Sequence, residues 1–421
     1  MPAKLLTRDE RQALCFERWK ALNGHGTIVA STGFGKTRVA INTIKWFQTT
    51  HPDIRIIVVV PTTLLQEQWM DELRENQCIM KNIQVYVINS VIKQAHSCDL
   101  LILDEAHRYP ADSFSQVFQV VKYYMIQCLT ATLERLDGKH TLIAKYAPVV
   151  DTITIEECLL NKWVSNYKEY AVIIEPSDID VYNKLTKEFN EHFEFFDYNF
   201  GLMMSMTGAN GWKHRNNYAR DLCHDQSSFG DMVKAVTIHS VGAFRAMQAR
   251  KKYISEHPEK IRVAEEIIAH RPDEKIITFS ASVAAAEKFS EGFVYTGKDS
   301  KKANRLTLSE FAKMPSGVLH SVKLAEEGLN VPDLSVGIML GVNSSKIKHA
   351  QTRGRVVRYR EGKNAEFFTL LLKDTVELEW WRKSTGHDQC EVIDEANLMK
   401  VLRHEPYELY VEPLKQFVTR F

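Results

Sequence analysis

The sequence is short of the features that mark secreted, membrane-bound or disulfide-rich proteins. No apolar run approaches the roughly 18 residues that a membrane-spanning helix needs, and residues 1–6 contain no apolar segment typical of a signal peptide. The seven cysteines are scattered without any C-x-x-C pair, which indicates reduced thiols in a cytosolic-type compartment. Cys223, His224 and His239 lack the spacing of zinc ligands. We therefore expect a cytoplasmic protein without a membrane partner.

Net charge is another feature that the chain has little of. Its 421 residues carry 54 Lys and Arg against 53 Asp and Glu, a formal net charge of +1. This balance excludes a global electrostatic attraction to nucleic acid, so such a partner would need a local basic surface. The length predicts two or three domains, and the 44% of hydrophobic residues is ordinary for a globular protein.

The chain is organised around residues 30–37, which read Ala-Ser-Thr-Gly-Phe-Gly-Lys-Thr, with Ala30 in place of the first glycine of the general phosphate-loop pattern. The apolar run 26–29 before them is typical of a strand, and helical spacing follows. A strand, a glycine-rich loop and a helix start together form a phosphate cradle. Lys36 is predicted to reach the β- and γ-phosphates and Thr37 to bind Mg²⁺, so ATP and Mg²⁺ are the expected ligands. The loop residues predicted to bind the nucleotide are Thr32, Gly33, Gly35, Lys36 and Thr37.

Four apolar, mostly β-branched runs in the first third of the chain predict a parallel α/β sheet. They alternate with helical segments and span residues 54–60, 85–88, 100–103 and 126–129. Such alternation is typical of parallel sheets, and polar residues follow directly after each run. Because ligands bind at the carboxyl edge of an open α/β sheet, we expect these polar residues to lie near the phosphate loop.

The pair Asp104-Glu105 follows the third of these runs. A carboxylate at a strand end can share the Mg²⁺ shell with Thr37, and a second one can orient and deprotonate a water that attacks the γ-phosphate. We therefore predict Asp104 as a metal ligand and Glu105 as the catalytic base. Gln12, in a predicted helix ahead of the loop, is interpreted either as a reader of the adenine edge or as a solvated helix residue.

These segments resemble the motifs of superfamily 2 helicases. Residues 30–37 resemble motif I. The Asp-Glu-Ala-His of residues 104–107 resembles motif II, and the Thr-Ala-Thr of residues 130–132 resembles motif III. Later segments resemble motifs IV, V and VI in the same order, at residues 276–280, 327–333 and 351–358. The resemblance implies an α/β fold of two RecA-like parallel-sheet domains with a mainly helical insertion between them.

Within the superfamily, the chain looks most similar to the XPB/UvsW-type DNA helicases and translocases. XPB-like chains follow the Thr-Ala-Thr with an Arg-Glu-Asp element. Arg135 and Asp137 match that element, whereas Leu136 replaces its Glu. The compact chain also resembles a phage-encoded member, for which the compartment would be the host cytoplasm.

The resemblance divides the chain into three parts. A first RecA-like ATP-binding domain is expected at residues 1–150. Residues 151–258 are expected to form connecting strands and a helical, thumb-like insertion, and residues 259–421 a second RecA-like domain. Residues from about 380 onward are expected to cap the second core, with a strand at 407–411.

Motif VI supplies the catalytic groups expected from the second domain. Arg355 and Arg358 lie three residues apart, so both project from one side of a helix. Their guanidinium groups are predicted to stabilise the charge that develops on the γ-phosphate during transfer. Gln351, one turn earlier, is predicted to help position the attacking water.

The predicted insertion carries a local basic segment. Residues 213–252 contain eight Lys or Arg against three acids, and aromatic residues are interleaved with them. Basic side chains suit phosphates and exposed aromatics can stack on bases, so Trp212, Lys213 and Arg215 are predicted to contact DNA. The alternative is a linker helix with an ordinary solvated basic face.

Other contacts with nucleic acid are expected at the strand ends of both RecA-like domains. The residues predicted there are Thr62, Thr63, Ser90, Ser280 and Lys323. Motif V departs from its commonest form, because Val322 stands where a Thr or Ser usually contacts the backbone and Asn330 replaces an Asp.

The expected function is that of a monomeric, ATP-dependent DNA helicase or translocase. It would hydrolyse ATP between its RecA-like domains to unwind or branch-migrate duplex, forked or branched DNA in replication, recombination or repair. Three alternatives stay open: an RNA helicase, a restriction-type translocase subunit, and a DNA-binding remodeller that uses ATP as a switch and unwinds nothing.

Overall fold

Two parallel β-sheets organise the part of the chain that the computed structural model describes. That part comprises residues 6–110, 113–133, 139, 141–208, 210–223, 228–322, 331, 333–342, 352, 356, 364–385 and 390–410. Each sheet has helices packed on it, and a helical segment lies between the two sheets in sequence. Across the described residues, none of the helices has the length and apolar character that crossing a bilayer requires.

The first sheet is formed by strands of the N-terminal part. In chain order these strands are β1 (His25–Ala30), β2 (Ile56–Val60), β3 (Ile83–Val87), β4 (His96–Ser97), β5 (Leu100–Asp104), β6 (Val121–Lys122), β7 (Met125–Thr130) and β8 (Val149–Ile153). The sheet has the order β3-β2-β5-β7-β1-β8, and β4 pairs with β6 alongside it. All of these pairings are parallel, as the alternation of runs and helical segments predicts.

Helices cover both faces of the first sheet. They are α1 (Arg8–Ala21), α2 (Lys36–Thr50), α3 (Thr63–Glu75), α4 (Ile88–Val91), α5 (Val117–Val120) and α6 (Thr141–Tyr146), with 3-10 turns at Met80–Asn82, Ala106–Arg108 and Phe114–Gln116. Thr7 and Glu10 form a capping box that starts α1. Alternate residues of β2 enter two different hydrophobic clusters, Val58 on one face and Val59 on the other. This double burial explains the uninterrupted apolar run.

The crossing from the first sheet to the second lies between residues 154 and 165. Residue 150, the predicted end of the first domain, lies inside β8. The chain then forms α7 (Ile155–Leu160), and Trp163 and Val164 are buried in the core of the first sheet. The next strand, β9 (Asn166–Ile174), already belongs to the second sheet, where it pairs with strands from the C-terminal part.

A helical segment follows β9 and has a hydrophobic core of its own. It consists of α8 (Ile179–Phe193), a 3-10 turn (Glu194–Phe196), α9 (Phe200–Ser205), α10 (Gly211–Leu222) and α11 (Phe229–Glu256). Phe189, Phe193 and Phe196 are buried in this core together with side chains of α11. These aromatic side chains therefore pack in the core of the segment, and we call the segment 179–256 the helical insertion.

The second sheet combines β9 with strands that follow the helical insertion. They are β10 (Lys275–Ser280), β11 (Phe293–Tyr295), β12 (Gly317–Val322), β13 (Val336–Met339), β14 (Asn364–Leu372) and β15 (Cys390–Asp394), in the order β11-β12-β10-β13-β14-β9-β15. Its helices are α12 (Pro258–Ala269), α13 (Val283–Ala286), α14 (Lys301–Lys313), α15 (Glu377–Thr385) and α16 (Glu395–Leu402). The predicted α/β class, with two parallel sheets and a helical insertion, is confirmed.

A buried ion pair attaches the helix after the insertion to the second sheet. Lys260 in α12 and Glu377 in α15 have no exposed surface, and the Lys260 Nζ lies 2.6 Å from both carboxylate oxygens. The Nζ also donates to the Leu340 carbonyl at 2.8 Å. Burial lowers the pKa of Lys260 and raises the pKa of Glu377, so each charge depends on the other group.

The last described residues pack on the edge of the second sheet. The strand predicted at 407–411 is wrong over its described part, because residues 407–410 have no regular secondary structure. The Tyr410 N–H donates to the Val392 carbonyl at 2.7 Å, and Tyr407 packs against the core through its ring. Side-chain packing and an isolated backbone hydrogen bond, not a strand ladder, hold this segment. The edge strand itself is β15, which the sequence pattern did not predict.

Candidate functional site

The phosphate loop lies between β1 and α2 at the carboxyl edge of the first sheet. Gly33 and Gly35 both have φ of +93°, a conformation that side chains disfavour, and Gly35 is the N-cap of α2. The ring of the intervening Phe34 is fully buried and packs on Trp163 at 5.6 Å between centroids. The Lys36 Nζ donates to the Ala30 carbonyl at 3.1 Å, which folds the side chain back over the loop.

Gln12 lies against this loop and is not solvated. It is 2% exposed, and its Nε2 donates to the Phe34 carbonyl at 2.9 Å. The interpretation of Gln12 as a solvated helix residue is therefore wrong. Its Oε1 is buried and has no hydrogen-bond partner among the described residues. An orphaned buried acceptor is costly, and an amino group of a bound ligand would satisfy it.

Asp104 ends β5 with its carboxylate buried beside the phosphate loop. Its Oδ2 accepts from the Trp69 indole at 2.8 Å, and its Oδ1 accepts from the Glu105 N–H at 2.9 Å. Burial and the neighbouring Glu105 charge raise the pKa of Asp104 to about 6, against the opposing effects of Trp69 and the Lys36 cation. A cation placed here would remove this electrostatic penalty.

Glu105 is joined to motif III through a histidine. Its backbone adopts the left-handed conformation, with φ of +51°, and turns the chain sharply after β5. The His107 Nδ1 lies 3.5 Å from a Glu105 carboxylate oxygen and 3.1 Å from the Thr130 hydroxyl, which itself donates to the Thr132 carbonyl at 2.7 Å. Motifs II and III are therefore in contact at the carboxyl edge of the sheet.

These residues fit a magnesium nucleotide. Gly33 and Gly35 are left-handed, and a Cβ on Gly35 would lie 2.8 Å from the Gln12 Nε2, so the loop admits no side chain there. Carboxylate and hydroxyl oxygens are the ligands that Mg²⁺ prefers, and Asp104 and Thr37 supply them. Within the described ranges, no group of three or more His, Cys, Asp or Glu side chains comes together to hold another metal ion.

Several predicted site residues lie outside the described residues. They are Gln351, Arg355 and Arg358 of motif VI, Lys323 and Asn330 near motif V, and Arg135, Leu136 and Asp137 after motif III. The roles predicted for them stay predictions.

Two family models match the chain. The model described as "Type III restriction enzyme, res subunit" matches residues 6–97 and 77–135, and "Helicase conserved C-terminal domain" matches residues 259–360. The first match contains the phosphate loop and Asp104-Glu105, and the second contains motifs IV to VI. The two matches therefore fall on the two halves of the motif set.

Known proteins resemble the chain over most of its length. "DNA 3'-5' translocase XPB2" of Sulfurisphaera tokodaii is 26% identical over 85% of this chain and 80% of its own length. The chain is an XPB-like superfamily 2 helicase. A putative ATP-dependent RNA helicase, QP509L, of African swine fever virus is 31% identical, but over 27% of this chain and 26% of its own length. The helicase domain of Pyrococcus furiosus Hef has a TM-score of 0.52 at 16% identity, covering 90% of this chain and 99% of that one, and it supports the RecA-like fold.

In this helicase, the predicted nucleic-acid residues of the first domain lie at adjacent strand ends. Thr62 follows β2 and caps α3, its hydroxyl accepting from the Leu65 N–H at 3.3 Å. Thr63 and Ser90 are exposed, and β2 and β3 are neighbours in the sheet. In the second domain, Ser280 ends β10 with a buried Oγ that has no hydrogen-bond partner among the described residues. Their contacts with nucleic acid stay predictions.

The residues predicted for the helical insertion have different surroundings. Trp212 is 54% exposed at the start of α10, and the Lys213 ammonium lies 5.5 Å from its ring centroid. Arg215 is half-buried, and its guanidinium donates to the Met206 carbonyl at 2.6 Å, at the end of α9. Trp212 and Lys213 are therefore accessible to a ligand, whereas Arg215 also has a structural bond.

Two residues at the nucleotide site of this helicase carry no sequence motif. Trp69 donates its indole N–H to Asp104. An indole N–H on an apolar helical face needs an acceptor, and this requirement was the only hint of the contact that the sequence offered. Arg8 donates to the carbonyls of Gly33 and Phe34. The sequence hinted less strongly at this role of Arg8, which lies four residues before Gln12 on the same helical face.

Proposed function

We propose that this XPB-like helicase translocates on DNA, driven by ATP hydrolysis between its two RecA-like domains. The observation that carries the proposal is the meeting of the phosphate loop, Asp104 and Glu105 at one edge of the first sheet. The charge of Lys36 acts on the buried Asp104 carboxylate, which places the two groups of motifs I and II in one electrostatic environment.

Each residue of the nucleotide site then has a role. The amides of the phosphate loop and Lys36 bind the phosphates, Thr32, Gly33 and Gly35 shape the loop, and Gln12 offers its unpartnered Oε1 to the amino group of adenine. Thr37 and Asp104 would hold Mg²⁺, which when bound neutralises phosphate charge.

The chemical step belongs to Glu105 and to groups of the second domain. Glu105 orients and deprotonates the attacking water, and His107, 3.5 Å from its carboxylate, fixes its position. Gln351, Arg355 and Arg358 are proposed to complete the site from the second domain. The division into residues 1–150, 151–258 and 259–421 is part of this proposal, and the chain passes from the first sheet to the second between residues 154 and 165.

The choice of DNA rests on how much of the chain each relative matches. XPB2, whose name specifies DNA, matches 85% of the chain, whereas the RNA-named viral relative matches 27%. The residues proposed to contact the DNA are Thr62, Thr63, Ser90, Ser280, Lys323, Trp212, Lys213 and Arg215. Among them, Trp212 offers a ring on which a base can stack. We further propose action as a monomer in the cytoplasm on duplex, forked or branched DNA, with unwinding or branch migration as the outcome.

The test is the ATPase rate without nucleic acid and with single-stranded DNA, duplex DNA, a four-way junction and RNA. Stimulation by duplex or branched DNA supports the proposal, and stimulation by RNA alone overturns it. The variant Glu105→Gln is expected to lose about 10²–10⁴-fold of the stimulated rate, because a general base contributes about that much. It should keep ATP-dependent DNA binding.

A strand-displacement assay separates the motor from the switch. The wild type should displace a strand from a forked or four-way substrate and Glu105→Gln should not. If the wild type binds DNA in an ATP-dependent way and displaces nothing, the protein is a switched binder. Lys36→Ala is the control, since it should lose nucleotide binding itself.

A further inference from the structure

We propose that Arg8 is a positioning residue that fixes the phosphate loop before the nucleotide binds. Arg8 is the first residue of α1, and its Nε donates to the Phe34 carbonyl at 2.8 Å. A second nitrogen of the same guanidinium donates to the Gly33 carbonyl. The proposal rests on the proposed nucleotide site, but it assigns a function to a residue outside every motif.

Two successive peptide groups of the loop are held by these bonds. The Phe34 carbonyl accepts from Arg8 and also from the Gln12 Nε2, at 2.9 Å. The Gly33 carbonyl accepts from Arg8, and the N–H of the same peptide group donates to the Ser31 carbonyl at 3.2 Å. A peptide group is planar and trans, so its carbonyl and N–H point in opposite directions. Holding the Phe34 carbonyl towards α1 therefore directs the Gly35 N–H away from α1, as a phosphate donor requires.

The contact between α1 and the loop leaves no room for a side chain at Gly35. A Cβ on Gly35 would lie 2.8 Å from the Gln12 Nε2 and 3.1 Å from a guanidinium nitrogen of Arg8. From the other direction, the buried Phe34 ring packs on Trp163. The loop is therefore held by polar contacts from α1 and by the apolar packing of Phe34 on Trp163.

The geometry requires arginine and not merely a positive charge. A guanidinium presents parallel N–H donors in a fixed fork, which can bind two carbonyls at once, whereas an ammonium is a single flexible point charge. We therefore expect Arg8→Lys to restore part of the function that Arg8→Ala loses, and not all of it.

The experiment measures binding of inorganic tripolyphosphate, ATP and GTP to the full chain by calorimetry. Arg8→Ala is expected to weaken all three ligands by the same factor, about 10- to 100-fold, with Arg8→Lys in between. Hydrogen exchange at the amides of residues 33–36 in the free protein should become faster. At saturating DNA, the KM for ATP should rise more than kcat falls.

The matched control is Lys20→Ala on the same helix. Lys20 is exposed and lies over the rings of Phe16 and Trp46, away from the loop, so its variant should bind tripolyphosphate like the wild type. If Arg8→Ala does not fold, Arg8→Lys and Arg8→Gln carry the test.

Four outcomes are decisive. A loss confined to ATP, with tripolyphosphate unchanged, would mean that Arg8 acts on the base and would overturn the proposal. Unchanged exchange of the loop amides would overturn it as well. If Lys36→Ala still binds tripolyphosphate, the nucleotide site itself is misplaced. That result is distinct from a wild-type-like Arg8→Ala, which refutes only the role of Arg8.

Discussion

Asp151 is the residue that fixes α1, and with it Arg8 and Gln12, to the first sheet. Its carboxylate in β8 accepts from two nitrogens of Arg11, at 2.6 and 2.9 Å, and from Arg18. The Asp151 side chain is 1% exposed and that of Arg11 is 5% exposed. Burial alone would raise the pKa of Asp151, but the hydrogen bonds and charges of Arg11 and Arg18 outweigh it and lower the pKa.

We predict that this lowered pKa makes the protein lose stability in acid. A carboxylate with a lower pKa in the folded state stabilises the fold above its unfolded pKa, about 3.9. That contribution is lost as the pH falls below about 4, through the folded pKa. The free energy of unfolding in urea should therefore drop between pH 5 and pH 3, and Asp151→Asn should show a smaller drop. At pH 7 this variant should be less stable by about 3–5 kcal/mol, because it breaks a buried pair.

Asp99→Asn is the matched control for Asp151. Asp99 also pairs with an arginine, Arg55, at 3.2 Å, and its pKa is also lowered: the hydrogen bonds of Arg55 outweigh burial. The pair is exposed, so solvent screens it and the variant should change stability far less. Equal losses from the two variants would contradict the role assigned to burial.

At the scale of single residues, local sequence patterns predicted the phosphate loop and the Asp104-Glu105 pair, because their chemistry depends on consecutive residues. Gln12 was recognised, but the sequence left open whether it is solvated. Its burial depends on the distant Phe34, which α1 reaches only in the folded sheet. The Trp69–Asp104 bond likewise joins two elements, and spacing along one element cannot predict it.

Gly242 of α11 lies against His192 of α8 in the helical insertion. A Cβ added there would lie 2.3–2.5 Å from ring atoms of His192. The His192 Nδ1 lies 3.4 Å from the His239 Nδ1, and the His239 ring stacks on Phe195 at 4.3 Å. The glycine therefore leaves room for a histidine that is itself packed between two helices.

We predict that Gly242→Ala destabilises the insertion although alanine is the better helix former. The alanine gains about 1 kcal/mol in helix propensity, but it must displace the His192 ring, and overpacking costs about 1–3 kcal/mol. Hydrogen exchange of the amides in α8 and α11 should become faster, with the first sheet unaffected.

Gly230→Ala in the same helix is the control. A Cβ at Gly230 meets no atom within 4 Å, so this variant should keep or slightly raise the protection of α11. If both glycine variants behave alike, helix propensity and not packing decides, and the proposed contact is unimportant.

At the scale of elements, the sequence predicted most strands of the first sheet, since buried parallel strands are continuous apolar runs. Sheet membership was harder. β9 precedes the insertion by sequence but lies between β14 and β15, because its hydrogen bonds are made with residues about 200 positions later. β15 has mostly half-buried side chains and is not a continuous apolar run.

The two sheets of the molecule touch through α3 and α14. Glu67 of α3 forms an ion pair with Arg305 of α14, and both line a groove of about 710 Å³ together with Thr63. Leu64, next to Thr63, packs against the core of the second sheet. The groove thus contains Thr63, which is predicted to contact nucleic acid, and an ion pair between the two domains. A change in the relative position of the domains must therefore alter the groove and the ion pair together.

We predict that this ion pair biases the relative position of the two domains in the free protein. An exposed pair contributes about 0.2–1 kcal/mol, so replacing attraction by repulsion in Glu67→Arg should shift the equilibrium between arrangements by several-fold. Small-angle X-ray scattering should then give a larger radius of gyration for Glu67→Arg and for Arg305→Glu. The double variant Glu67→Arg/Arg305→Glu should restore the wild-type value, because it rebuilds the pair with its charges exchanged.

Glu75→Arg provides the comparison within α3. Glu75 is exposed at the end of that helix and does not line the groove that contains Arg305, so its reversal adds the same charge without involving the pair between the domains. Its radius of gyration should match that of the wild type. An expansion as large as that of Glu67→Arg would mean that added positive charge, and not the lost contact with Arg305, separates the domains.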